Sequence, residues 1–339
     1  MDRTAVIRCA LAAVLFGASA PAASELAGEL DAFTLAGLLY VGAALAVLPA
    51  TLRRPPTVRS LRRGGSRLAV AVVVGGAVAP VLLAAGLART PAATASLLLN
   101  LELVATVALA AAVFHEHIGR RVALGTTLVV AGGAALAWSS SPELRVGALL
   151  VVAACVCWAV DNCVTAELDE LAPHHITMAK GVIAGSANLA IGLLVAARPP
   201  VGAIVAGLVI GALGYGLSIT LWVAGARDLG AARAQLIFAA APFVGAVLAW
   251  VVLGEPVTLA QGVAVVLAGS GVAAVAGSAH LHEHRHDALD HDHEHVHDGH
   301  HDHVHGEPVD GRHQHPHRHR ALVHSHPHVP DLHHRHDHG

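Results

Sequence analysis

Residues 92–116, AATASLLLNLELVATVALAAAVFHE, are repeated in outline by residues 231–255, AARAQLIFAAAPFVGAVLAWVVLGE. In this ungapped register both stretches begin with two alanines and end with a glutamate, Glu116 in the first and Glu255 in the second. Alanine matches carry little weight in alanine-rich helices, so the aligned glutamates and the glycines after them are more informative. We infer an internal repeat, which a two-residue shift extends to two glycine pairs: Gly125 with Gly262, and Gly132 with Gly269.

The repeat lies in a chain whose composition predicts a membrane protein. Hydrophobic residues make up 55% of the 339 residues, charged residues only 13%, and the mean hydropathy is +0.60. A bilayer core of about 30 Å requires about 20 apolar residues of helix. Ten stretches meet this requirement: 4–22, 32–50, 68–87, 91–114, 121–139, 146–165, 174–196, 201–224, 231–253 and 257–277.

The number of spans predicts how the two copies are arranged. Five spans per copy is an odd number, so the second copy must be upside down relative to the first. Inverted repeats are a recurrent architecture of membrane carriers, with the binding site near the midplane between the halves. We therefore predict an all-α membrane protein of two inverted five-helix repeats, residues 1–140 and 141–278, followed by a disordered tail, residues 279–339.

Positive residues predict the orientation, because Lys and Arg are retained on the cytoplasmic side. With the amino terminus inside, the inner loops hold 12 such residues and the outer loops 3, although the acidic loop 166–173 would also be inside. Ten spans return the chain to its starting side, so we expect both termini to be cytoplasmic in a multi-pass protein of the inner membrane. The first stretch resembles a secretory signal, but the similar spans that follow favour an uncleaved first helix.

Charge and cysteine content exclude other classes of protein. The net charge is −3 and no basic surface is concentrated in the sequence, so no nucleic-acid partner is implied. The four cysteines lie in apolar stretches without a C-x-x-C pair, and packing is their more ordinary role: Cys9, Cys155, Cys157 and Cys163.

Short motifs in both copies resemble a known family. In the first copy these are residues 94–102, TASLLLNLE, then Glu116 and the helix 125–133; in the second they are residues 241–243, APF, and residues 254–256, GEP. In this order they resemble the EamA-type permeases of the drug/metabolite transporter superfamily, over residues 4–277.

The resemblance implies ten helices in two inverted repeats and a carrier rather than an enzyme, which exports or takes up small solutes without ATP hydrolysis. It names no substrate. Members of the family often have proline after the Leu-Glu pair, where this chain has Leu103 in the first copy and Pro242 in the second. This departure leaves open whether the fourth helix bends.

Ionisable residues at bilayer depth are costly and are therefore candidates for function. Glu102 lies in the middle of the fourth span, with Asn100 two residues before it. A carboxyl at this depth suits a group that contacts substrate or that accepts and releases a proton. The alternative is a neutral glutamic acid that only holds helices together.

Asp161 and Lys180 form a second candidate pair. They lie toward the cytoplasmic ends of the sixth and seventh spans, which are antiparallel, so we expect the two residues to pair, with Asn162 beside them. Such a pair could anchor a gate or simply neutralise two buried charges. Glu116 and Glu255 lie at helix ends, where capping or pairing with arginine is the expected role.

The tail holds 23 of the 27 histidines, from His280 onward. Its prolines and alternating polar residues predict disorder. Alternating imidazoles can bind Zn, Ni, Co or Cu, and a solvated, pH-responsive polyelectrolyte is the alternative. The candidate ligands are His282, His284, His286, His291, His293, His295, His297, His301, His303, His305, His313, His315, His317 and His319.

Three functions follow from these observations. The leading one is a proton-coupled or facilitative permease whose tail binds cytosolic divalent metal and whose cargo is a small molecule or a metal ion. The others are a Zn, Ni or Co efflux carrier fed by the tail, and a membrane-anchored metal store without transport. None of them requires a resident cofactor, and a homodimer is compatible with all three.

Overall fold

The computed structural model describes residues 3–114, 119–138, 141–166, 168, 171–229 and 231–276, together with four short segments of the tail. In this part of the chain, nine helices are long and apolar enough to cross a membrane, and a tenth, shorter apolar helix follows them. The predicted architecture of ten helical spans is confirmed. A short helix, Val58–Arg63, joins the second span to the third. The spans are Arg3–Ala27, Ala32–Arg53, Gly65–Leu87, 92–114, Arg120–Trp138, Pro142–Ala166, Pro173–Val195, 201–229, 231–251 and Leu259–Ala276.

The contacts between spans follow the inverted repeat. The first span packs on the eighth and ninth, and its counterpart in the second half, the sixth, packs on the third and fourth. Likewise the second span packs on the eighth, and the seventh packs on the third. Exchanging each span with the one five places later therefore reproduces these helix contacts, as expected for two halves related by an approximate two-fold axis.

Small residues allow this packing. At the interface of the fifth and tenth spans, a Cβ atom added to Gly125 would overlap the carbonyl oxygen of Gly271, and one added to Gly271 would overlap that of Gly125. Helices in membranes associate through such close backbone approach, because lipid supplies no hydrophobic driving force between them. Of the glycines paired by the repeat register, Gly125 therefore lies at an interface between the two halves, whereas a Cβ atom added to Gly262 or Gly269 would meet no atom within 4 Å.

The fourth and ninth spans are both interrupted near their middle. The fourth consists of Ala92–Leu98 and Leu101–Phe114, and the ninth of Ala231–Phe238 and Ala241–Val251. In the ninth span Pro242 lies in the first turn of the second half-helix, where its missing N–H leaves no partner unsatisfied. The fourth span is interrupted without a proline, which resolves the question that Leu103 left open.

Parts of three spans are wound as π-helix. These are Ala71–Val78 in the third span, Lys180–Gly185 in the seventh and Gly211–Leu217 in the eighth. The third and eighth spans are counterparts in the repeat, so both halves share this feature. π-helical turns are found frequently at functional sites, since they displace backbone carbonyls from the regular hydrogen-bond ladder.

The two ends of the bundle can be told apart by their contacts. At one end, the Arg8 end, Arg8 forms an ion pair of 2.8 Å with Asp228, which joins the start of the first span to the end of the eighth. At the opposite end, the Glu255 end, Glu255 contacts the start of the fourth span.

The tail is a separate unit, residues 279–339. Four of its segments are strands, β1 (His280–His286), β2 (Leu289–His295), β3 (His313–His319) and β4 (Leu322–His328), with β1 antiparallel to β4 and β2 to β3. For these segments the structure has paired strands where the sequence predicts disorder. Alternation of histidine with other residues has a period of two, which is the period of an extended strand.

Candidate functional site

Glu102 lies directly after the interruption of the fourth span, in the first turn of the half-helix Leu101–Phe114. Its Oε1 accepts a hydrogen bond of 2.8 Å from the Nδ2 of Asn162, on the sixth span. The Glu102 side chain is partly exposed and Asn162 is exposed. Two of the predicted site residues are therefore brought together, and their polar groups remain accessible.

The interruption beside Glu102 is held by polar contacts to freed carbonyls. The backbone N–H of Glu102 donates to Leu99 O at 3.1 Å, one residue short of the helical pattern. The carbonyl of Leu98 instead accepts from the thiol of Cys155, at 3.7 Å. The buried side chain of Asn100 donates its Nδ2 to Leu97 O at 2.9 Å, so Asn100 shapes the interruption, and its contact with substrate stays a prediction.

Asp161 and Lys180 form the ion pair that their positions predict. Lys180 Nζ lies 2.5 Å from Asp161 Oδ2, and the Thr165 hydroxyl donates to Asp161 Oδ1 at 3.1 Å. Both charged side chains are largely buried. Each charge of this pair compensates the other. Glu102, beside the interruption of the fourth span, has no cationic hydrogen-bond partner among its described contacts.

The ion pair occupies a notch in the third span. A Cβ atom added to Gly75 would overlap the Asp161 carboxyl group, and one added to Gly76 would lie 3.1 Å from Cγ of Lys180. The π-helical winding also turns the Gly75 carbonyl out of the ladder. That oxygen accepts from the Tyr40 hydroxyl at 2.8 Å and from Trp158 Nε1 at 3.2 Å.

Tyr40 was not among the predicted site residues. Tyr40 is one of only two tyrosines in the chain, and the other, Tyr215, packs against it with ring centroids 5.8 Å apart. The rarity of tyrosine in an alanine-rich chain is the signal that could have identified both. The carbonyl of Gly75, which Tyr40 and Trp158 both contact, has a sequence signal in Pro80. In the π-helical pattern residue 80 would donate to this carbonyl, and proline has no N–H.

A row of aromatic rings continues from this network. The chain has 4 Trp, 2 Tyr and 5 Phe, and five of these rings are in successive contact. Trp222 ends the row, and its Nε1 is buried without a hydrogen-bond partner in the described part of the chain. The centroid distances are 5.8 Å for Tyr40–Tyr215, 5.8 Å for Tyr215–Phe16, 5.3 Å for Phe16–Phe238 and 6.3 Å for Phe238–Trp222.

Access to Glu102 differs between the two ends of the bundle. Toward the Glu255 end, residues 92–100 are all buried, and Ala92–Leu98 packs on the first, ninth and tenth spans. Toward the Arg8 end, Leu101–Phe114 packs on the fifth and sixth spans, and Ala231–Phe238 packs on the first and eighth. Between these two half-helices the described residues show no extensive packing. Among the described residues, packing around the fourth span is therefore denser toward the Glu255 end than toward the Arg8 end.

The predicted metal ligands are distributed differently. His282, His284 and His286 lie in β1, and the register places His282 opposite His326 and His284 opposite His324. In the second sheet, three histidines of β2 lie opposite histidines of β3: His291 opposite His317, His293 opposite His315 and His295 opposite His313. His319 also lies in β3. Outside the described residues lie Glu116 and the predicted ligands His297, His301, His303 and His305.

Comparisons with known proteins agree with this architecture. The sequence matches the EamA-like transporter family twice, over residues 3–138 and 145–277. It is 25% identical over 283 residues to an uncharacterized transporter of Methanothermobacter thermautotrophicus, covering 77% of this chain and 82% of that protein. A solved crystal structure shares the fold with a TM-score of 0.59 at 20% identity, over 81% of this chain and 96% of the other.

Proposed function

The chain belongs to the EamA-like transporter family, and from this premise we propose that it is a secondary carrier for a small organic solute, with Glu102 as the residue that couples or contacts the cargo. One observation carries the proposal. The Glu102 carboxylate lies at a helix interruption in the first repeat and accepts a hydrogen bond from Asn162 of the second repeat.

The chemistry of the site favours a singly charged or organic cargo. Asp161 is compensated by Lys180, which leaves the Glu102 carboxylate and the Asn162 amide as the accessible polar groups among the described residues of this site. Divalent metal ions favour several ionised or imidazole ligands together. One carboxylate in an apolar surrounding suits a proton or a solute with a single cationic or hydrogen-bonding group.

The orientation that we propose places the Arg8 end in the cytoplasm. The first span begins and the tenth span ends at this end, to which the arginine-rich connection after the second span also belongs. Positive residues are retained on the cytoplasmic side. In this orientation the carrier is open inward, and the tail extends into the cytosol.

Uptake into liposomes that contain the full-length protein tests the proposal. The liposomes are given a proton gradient of either direction and a panel of labelled amino acids, sugars, amines and nucleosides. A solute that moves with the protein, and not with its Glu102→Gln variant, supports a carrier coupled through Glu102. If no solute moves and the protein still binds metal, the alternative of a membrane-anchored metal store is favoured.

A second candidate function concerns the tail, which we propose binds divalent metal ions. Residues directly opposite in an antiparallel pair have Cβ atoms about 4.5–5.5 Å apart, so histidine opposite histidine in register brings two imidazoles within reach of one ion. Neutral imidazole is a ligand for Zn, Ni, Co and Cu. The pairs His282–His326 and His291–His317 are examples.

Transport of metal is tested separately from metal binding. Liposomes with the full-length protein and with a chain that ends at residue 278 are compared for movement of zinc, nickel and cobalt along a proton gradient. Movement of an ion by both proteins favours the efflux carrier, with the tail as an accessory. Binding by the full-length protein alone, without movement of any of the three ions, assigns the tail to sequestration.

A further inference from the structure

Glu255 makes a contact between the two repeats. It follows the ninth span, and its carboxylate accepts hydrogen bonds from two backbone N–H groups at the start of the fourth span, from Ala92 to Oε1 at 2.6 Å and from Ala93 to Oε2 at 2.9 Å. Gly254 allows this approach, since its φ of +68° lies in the left-handed region that favours glycine. The capping role expected for Glu255 is present, but the capped helix belongs to the other repeat.

A second set of hydrogen bonds supports the same contact. Gln261, in the first turn of the tenth span, donates from Nε2 to the Thr94 hydroxyl at 3.0 Å. Its Oε1 accepts from Trp250 Nε1 at 3.2 Å and from the backbone of Thr258 at 3.0 Å. The Gln261 side chain is thereby fixed, and the first turn of the fourth span is held by the second repeat at three successive residues.

These contacts close the Glu255 end above the candidate site. The half-helix Ala92–Leu98 that they hold is buried throughout and packs on the second half of the ninth span, Ala241–Val251. Ser96 lies within this packing, 1% exposed, with no hydrogen-bond partner for its hydroxyl among the described residues. A solute can reach Glu102 from the Glu255 end only if this half-helix separates from the second repeat.

The repeat register shows that the sequence of the other end matches this network only in part, since Glu116 is aligned with Glu255, and Ala231 and Ala232 with Ala92 and Ala93. The register that aligns Glu255 with Glu116 places Arg233 at the position of Thr94. After the two-residue shift, Leu124 takes the position of Gln261. The amide-to-hydroxyl bond at the Glu255 end therefore has no counterpart in the sequence of the Arg8 end. In an inverted repeat this difference makes the two closed states unequal in free energy.

We propose that Glu255 is the gate residue of the carrier. Its bonds to Ala92 and Ala93, supported by Gln261, stabilise a resting state that is closed at the Glu255 end and open at the Arg8 end. Hydrogen bonds to an ionised acceptor are about twice as strong as neutral ones. Release of Glu255 is then the step that admits solvent to Glu102 from the Glu255 end. The proposal rests on the proposed function, since a gate has a use only in a carrier.

Alkylation of a reporter cysteine tests the gate without requiring a known substrate. The full chain carries Ser96→Cys; Cys9, Cys157 and Cys163 are replaced by alanine, and Cys155 by serine, whose hydroxyl can still donate to the Leu98 carbonyl. The protein is embedded in lipid nanodiscs and treated with a charged maleimide. We expect Glu255→Gln to raise the labelling rate about tenfold, the change that about 1.4 kcal/mol makes in an equilibrium. Glu143→Gln is the matched control, because Glu143 is exposed at a helix start, and it should leave the rate unchanged.

A second reporter separates gating from loosening of the fold. Thr106→Cys lies in the half-helix Leu101–Phe114, on the Arg8 side of the interruption. Its labelling should slow in a variant that spends less time in the state open at the Arg8 end. A rise at both reporters, or no change at Ser96→Cys, would overturn the proposal.

A milder variant covers the case in which Glu255→Gln does not fold. Thr94→Val removes only the hydroxyl that accepts from Gln261, and it should raise labelling of Ser96→Cys in the same direction by a smaller factor. An unchanged rate in this variant contradicts the role of Gln261. If the expected labelling is seen and no solute is ever transported, the gate stands and the proposed function fails, so the two are distinguishable.

Discussion

At the scale of single residues, the charges in the membrane differ in how they are compensated. Asp161 and Lys180 neutralise each other, whereas Glu102 has an uncharged partner in Asn162. A carboxylate without a cation is costly in an apolar surrounding. Taking up a proton or a cationic solute relieves that cost, and this is the physical basis for assigning the coupling to Glu102.

Replacing Glu102 with glutamine tests this assignment. The amide preserves the shape and can still accept the hydrogen bond from Asn162, but it cannot exchange a proton or compensate a cation. We expect proton-driven transport to fall to the level of protein-free liposomes, while the thermal unfolding temperature changes little. Both are measured on the purified protein. Undiminished transport in this variant would show that Glu102 only holds helices together.

The ion pair has its own prediction. Lys180→Met leaves Asp161 as a buried, unpaired charge, and we expect a loss of about 3–5 kcal/mol of stability. The double variant Asp161→Asn with Lys180→Met should recover most of this loss, since no charge remains and the asparagine can still accept from Thr165. Denaturation in detergent measures both. If the double variant is as unstable as the single one, the pair has a role beyond neutralising two charges.

The residues that sequence reasoning identified share one property. Glu102, Asp161 and Lys180 are ionisable groups within apolar stretches, so their cost is visible without coordinates. Tyr40 and Cys155 were not identified because each acts on a backbone carbonyl, of Gly75 and Leu98 respectively. Which carbonyls are free depends on where helices are interrupted or wound as π-helix, and side-chain patterns do not encode that directly.

At the scale of elements, the interrupted fourth span shows that the same geometry can arise from different residues. The ninth span is interrupted next to Pro242, while the fourth has Leu103 at the equivalent position. In the fourth span, the side chain of Asn100 bonds to the carbonyl of Leu97. Asparagine competes in this way with the backbone ladder, so an interruption forms without proline.

The notch in the third span gives a prediction at this scale. Gly75→Ala places a methyl group where the Asp161 carboxyl lies, and we expect a loss of about 1–3 kcal/mol together with reduced transport. Gly269→Ala is the control. No atom lies within 4 Å of a Cβ added at Gly269, and alanine in a helix should stabilise the protein by about 0.5–1 kcal/mol. The thermal unfolding temperatures of both variants test this expectation. If the Gly75→Ala variant is as stable as the unsubstituted protein, the ion pair can move away from the third span.

At the scale of the whole molecule, two nearly equivalent halves adopt unequal conformations. The half-helix Ala92–Leu98 is buried, while in its repeat counterpart Arg233, Gln235 and Leu236 are exposed. A carrier with inverted repeats alternates by exchanging the conformations of its two halves. The contacts of Glu255 then explain why one of the two states is the resting state.

Metal binding by the tail should depend on pH. Imidazole binds metal only when it is neutral, and its pKa is ordinarily about 6.5. We therefore expect zinc or nickel bound to the full-length protein to be released as the pH falls from about 7.5 to about 5.5, and to be regained on return. Equilibrium dialysis measures the bound metal, with a chain ending at residue 278 as control. Binding that persists at the lower pH would implicate the tail carboxylates instead of the histidines.

The sequence by itself determined the ten spans, the inverted repeat and the charges within the membrane. These follow from hydrophobic length, an odd number of spans per copy and the cost of burying an ionisable group, all of which are local or periodic properties of the chain. Only the tertiary structure decided that Asn162 partners Glu102 and that Glu255 caps a helix of the other repeat. Those features depend on which side chains and free carbonyls meet between spans far apart in the chain, and local properties do not encode them.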